Sequence, residues 1–112
     1  IEVQCKDTAF QIHATYWTDL EMDYSAVDSI EYRTNLDAGV RTNGFGSVRL
    51  SLGNFQNDEF GSYTLYAYTD AKAFLVLTAD EKILVIGMKD EKDTQTIYRV
   101  ISEKTAPDSA KS

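Results

Sequence analysis

Long apolar runs are missing from this chain. The longest, 73-AFLVL-77 and 83-ILVIGM-88, fall far short of the ~20 residues that a helical bilayer span needs. Cysteine is reduced to Cys5, so no internal disulfide can form and no oxidising compartment follows from bridges. Histidine is reduced to His13, and its spacing from Cys5 enforces no nucleophile pair. A zinc site would need carboxylates in two or more of its four places. No Gly-Lys-Ser or Gly-Lys-Thr occurs, which excludes a Walker A loop. Basic charge is scarce, with 11 Lys and Arg against 18 Asp and Glu. No window offers the basic face that nucleic acid or an anionic membrane surface requires. No catalytic, cofactor-binding or metal-binding residue is assigned from these absences.

What is there belongs to a folded domain. Of the 112 residues, 43% are hydrophobic and 12% aromatic, which is globular rather than disordered composition. The length suits one domain, placed at 1–104, with a polar tail at 105–112 that holds the only proline. The net charge of −7 is lopsided. Residues 1–32 carry seven acids against Lys6, a net of −6, while the other 80 residues hold 11 acids and 10 bases. A cationic partner is therefore favoured on the N-terminal side. Because the chain opens on Ile1 rather than Met, an upstream segment such as a membrane anchor or a leader is expected.

Glycine marks the middle of the chain. In 41-RTNGFG-46 the third glycine of a dinucleotide fingerprint is replaced by Arg49, and no helix starts there. Instead Val48, Leu50 and Leu52 alternate with Ser47, Arg49 and Ser51, the period of a half-buried strand. Asn43-Gly44 then reads as a hairpin turn. Similar alternation or β-branched and aromatic enrichment predicts strands at 10–16, 19–24, 27–33, 47–55, 62–68, 72–78 and 82–88. The last two are apolar on both parities and need cover on both faces. Residues 90–104 supply a cover: Ile97, Val100, Ile101 and the stem of Lys104 share one helical stripe, with Asp90 as N-cap. The fold class is mainly β with one C-terminal α-helix, an antiparallel barrel or sandwich of about seven strands in a meander, capped by the helix. Phe10, Phe74 and Ile86 are expected to fill its interior.

These elements, with Arg41, Asn43, Gly44, Gly46, then Gly53-Asn54-Phe55 and Gly61-Ser62-Tyr63, resemble the bacterial pleckstrin-homology (PH) domain family. The resemblance spans roughly residues 10–104 and implies the PH-like barrel or sandwich. It implies no catalytic residues, and it suggests membrane helices upstream of the module, as in several members. PH domains that bind phosphoinositides use basic residues in the first hairpin. The matching stretch, 16-YWTDLEMDY-24, has no Lys or Arg, which argues against phosphoinositide binding by that route.

Two constellations remain. Asp19, Glu21 and Asp23 fall on one side of a strand, yet an EF-hand from Asp19 would need Gly at Tyr24 and a carboxylate at Ile30. A solvated acidic face is the reading adopted. Among the aromatic residues, Trp17, Tyr66 and Tyr68 are the candidates for an interaction surface. The function expected is a non-catalytic interaction or assembly module, with a protein partner or self-association through a strand edge. A small ligand carried inside the barrel is the alternative, and an enzyme the weakest reading.

Overall fold

The computed structural model describes residues 1–105; of the tail expected at 105–112, Thr105 ends the helix and the rest lies outside the described residues. Nine strands and one helix follow in order: β1 (Glu2–Cys5), β2 (Ala9–Ala14), β3 (Trp17–Asp23), β4 (Ser29–Arg33), β5 (Val40–Gly46), β6 (Leu50–Asn57), β7 (Gly61–Tyr68), β8 (Phe74–Ala79), β9 (Lys82–Gly87) and α1 (Glu91–Thr105). A short 3-10 turn, Tyr24–Ala26, links β3 to β4. The strands form two sheets, β1-β2-β3 and β4-β8-β9-β7-β6-β5. This is a sandwich with a C-terminal helix, and it does not close into a barrel.

Three expectations are corrected here. Two strands, β1 and β5, were not legible, because neither buries an alternating apolar face: β5 is exposed at every residue except Phe45. Asn43-Gly44 is no turn but lies inside β5, paired across to Asn54 and Gly53 of β6. The β5–β6 turn falls instead at Ser47–Arg49, where Ser47 N–H donates to the Leu50 carbonyl and the Ser47 hydroxyl accepts from Arg49 and Leu50 N–H. The strand order is also not a simple meander. β8 crosses to pair with β4, and β9 returns between β8 and β7, antiparallel to the first and parallel to the second. Its central place explains why Leu84, Val85 and Ile86 are all buried, on both parities.

The main core lies between the two sheets and α1. Phe10, Ile12, Leu52, Leu75, Leu77 and Ile86 are fully buried there, and Ile97 and Ile101 seal it from the helix. Full burial of each of these isoleucines contributes about 1.5–3 kcal/mol of transfer free energy. Phe74 does not join them. It sits on the opposite face of the six-stranded sheet with Phe55, Tyr63, Leu65, Val76 and Val85, its ring edge resting where Gly87 leaves room. The helix start is secured as the sequence suggests: the Asp90 carboxylate accepts from Lys92 N–H at 2.9 Å. Thr94, fully buried, accepts from Met88 N–H at 3.1 Å and ties the helix to the end of β9.

Candidate functional site

The family-motif residues lie on the β5–β6–β7 ribbon, where most of them set how closely the backbones approach and how the rings pack. Gly44 of β5 faces Gly53 of β6, with φ of +144° and +118°. A Cβ at Gly53 would fall on the Asn43 carbonyl oxygen and 2.6 Å from Gly44 Cα, so the two backbones pass closer than side chains permit. Phe55 and Tyr63 are cross-strand partners with ring centroids 6.1 Å apart. The Tyr63 hydroxyl donates to the Ala38 carbonyl at 2.7 Å, pinning the loop before β5. Burial, aided by the nearby Asp37 charge, pushes the Tyr63 phenol up to about 12. Gly61 turns the β6–β7 hairpin at φ +71°.

Arg41 is the exception in this set. It points to the Phe55 face of β5, and its guanidinium extends along the strand to lie over Gly46, where any Cβ would collide with it. Among the described residues the ion pairs are His13–Asp19 and Arg33–Glu59, so Arg41 has none. It stands in an unusual stretch: residues 38–57 contain no acid, in a chain that has 18.

β5 is one of the two outer strands of the larger sheet. A bulge between Arg41 and Asn43 bends it, leaving Asn43–Gly46 as its regular run. At one end Phe45 stacks with Tyr16, ring centroids 4.4 Å apart, and Tyr16 is 58% exposed. Val48 at the adjoining turn and Val40 at the far end are 91% and 69% exposed. The result is an unpaired backbone edge with apolar anchors at both ends. The other outer strands differ. β1 and β4 have α1 packed against them, Tyr32 of β4 meeting Tyr98 and donating to Glu91 at 3.3 Å. β3 carries Asp19, Glu21 and Asp23, all exposed.

The three aromatic candidates part company. Trp17, half-buried, opens β3 beside Tyr16. Tyr68 is half-buried and accepts from the Ile1 nitrogen at 3.0 Å. Tyr66 is only 1% exposed and donates to the Thr18 carbonyl at 2.7 Å, joining the two sheets, so it is removed from any interaction surface. Strand parity explains this, since Tyr66 pairs with Leu52 on the core face. Phe45 was the residue missed. Its only signal was its place between two glycines.

The acidic side offers less chemistry. His13 Nδ1 and Asp19 Oδ1 are 2.7 Å apart on the solvent face, and Gln11 donates to Glu21 at 2.6 Å. Among the described residues no three His, Cys, Asp or Glu side chains come close enough to share a metal ion. Cys5 pairs with Phe10 and His13 with Glu2 at the opposite end of the β1–β2 ladder, so thiol and imidazole do not meet. Desolvation raises the Cys5 thiol above its usual range, the reverse of an activated nucleophile.

The model of the bacterial PH domain family matches residues 1–98. The chain belongs to that family. Searches of curated proteins and of solved structures give no match.

Proposed function

We propose that this domain is a non-catalytic protein-interaction module that docks its partner along the β5 edge. The observation that carries the reading is the unpaired β5 backbone flanked by the Tyr16–Phe45 stack and by exposed Val40. An added strand would gain main-chain hydrogen bonds along Asn43–Gly46, and the aromatic pair would give it an apolar ledge. The competing idea of a carried ligand loses support from the packing: Phe10, Ile12, Leu75, Leu77 and Ile86, each 0% exposed, fill the space such a ligand would occupy. The same reading sets the module in a longer, membrane-associated protein, as the family resemblance implies. Sedimentation of the full-length protein with membranes checks that part.

The test is a photo-crosslinking residue at Thr42 on the β5 edge, compared with one at Lys92 on the exposed side of α1. A protein adduct from position 42 that disappears when Gly44 is replaced by proline, and is absent from position 92, supports the module. Equal labelling at both positions, or none at 42, refutes it.

A further inference from the structure

We infer that the β5 edge takes the acidic β3 edge of a second copy of this chain, in a head-to-tail array. The inference rests on the proposed interaction module and names its partner. Both strands are outer strands, one of each sheet, so each molecule presents two unlike edges that can pair with each other. Their regular runs match in length: Asn43–Gly46 beyond the bulge of β5, and Leu20–Asp23 beyond the irregularity opposite Ile12–Ala14 in β3.

Charge selects this pairing over a symmetric one. β3 projects Glu21 and Asp23 from its outer face, within an N-terminal segment of net charge −6. β5 lies in the 20-residue stretch without an acid and holds the Arg41 guanidinium over Gly46, along the same run that would pair. Only one of the two strand senses puts Glu21, Asp23 and Arg41 on a common face, so the charges also fix the direction of pairing. A twofold β5–β5 contact would set Arg41 near Arg41, and a β3–β3 contact would oppose carboxylates. Because the two edges differ, the contact is heterologous and propagates rather than closing at a dimer. A four-residue run buries less than a standard interface, so the association is weak and salt-sensitive.

Analytical ultracentrifugation of the chain and two surface variants tests this. The wild type is expected to show an average mass that rises up to millimolar concentration and falls back as salt is added. Arg41→Glu blocks the β5 edge and leaves β3 intact; Glu21→Lys with Asp23→Lys does the reverse. Each variant alone stays monomeric. Mixed, the acidic β3 of the first meets the unaltered β5 of the second while the two charge-reversed edges complement each other, so the mixture associates and grows as neither variant does alone. That rescue also shows both variants to be folded. A wild type that is monomeric at millimolar concentration overturns the inference, as does a Glu21→Lys, Asp23→Lys variant that associates like the wild type. If self-association fails while another protein still crosslinks at Thr42, the head-to-tail array falls and the interaction module stands.

Discussion

Replacing Gly53 by alanine isolates what the glycine pair of β5 and β6 does. At φ +118° an alanine enters backbone space that L-residues rarely occupy, a cost of about 1–3 kcal/mol. Its Cβ would also overlap the Asn43 carbonyl and Gly44 Cα, which are backbone atoms and cannot rotate aside. β5 must then lift away and lose ladder bonds, each contributing about 1 kcal/mol. Alanine restricts the unfolded chain and returns about 0.4–1 kcal/mol. The net loss is about 2–4 kcal/mol, or on the order of 10–20 °C in Tm for a domain of this size. Gly61 is the control. It too has positive φ, +71°, but open space surrounds its Cβ position, so Gly61→Ala costs only about 0.5–1 kcal/mol. Thermal unfolding of both variants by circular dichroism makes the comparison. If Gly53→Ala is no worse than Gly61→Ala, close backbone approach is not why position 53 holds glycine.

Three further outcomes are expected. The β8–β9 hairpin turns on Asp80 and Glu81 at φ of +51° and +66°, so Glu81→Gly should stabilise the domain by about 0.5–1 kcal/mol, seen as a higher urea midpoint at unchanged slope. Burial pushes Tyr24 and Tyr63 up to about 12 from an ordinary value of 10.0. Protonated neutral phenol is the form the fold favours, so this stability is fully present below pH 10 and is lost as pH rises through about 12. Tyr63→Phe should remove part of that alkaline loss and cost about 1 kcal/mol at neutral pH by orphaning the Ala38 carbonyl, measured in urea melts at pH 7 and pH 11. Ile101→Ala, at 0% exposure, should cost about 2–5 kcal/mol, and an unchanged Tm would contradict the role of α1 as the seal of the core.

Alternation by itself determined much of this protein. β2, β3 and β4 bury one parity against one core, and the stripe of Ile97 and Ile101 announces the helix that closes it, because these patterns are local records of which side faces water. The aromatic ledge and the strand order were decided only by tertiary structure. Tyr16 and Phe45 are distant in sequence, and β9 slots between β8 and β7 through long-range pairing that no single segment encodes. β5 was invisible for a related reason: an exposed edge strand buries almost nothing, so hydrophobic periodicity has nothing to write there. The same place at the end of the sheet leaves the outer side of its backbone unpaired.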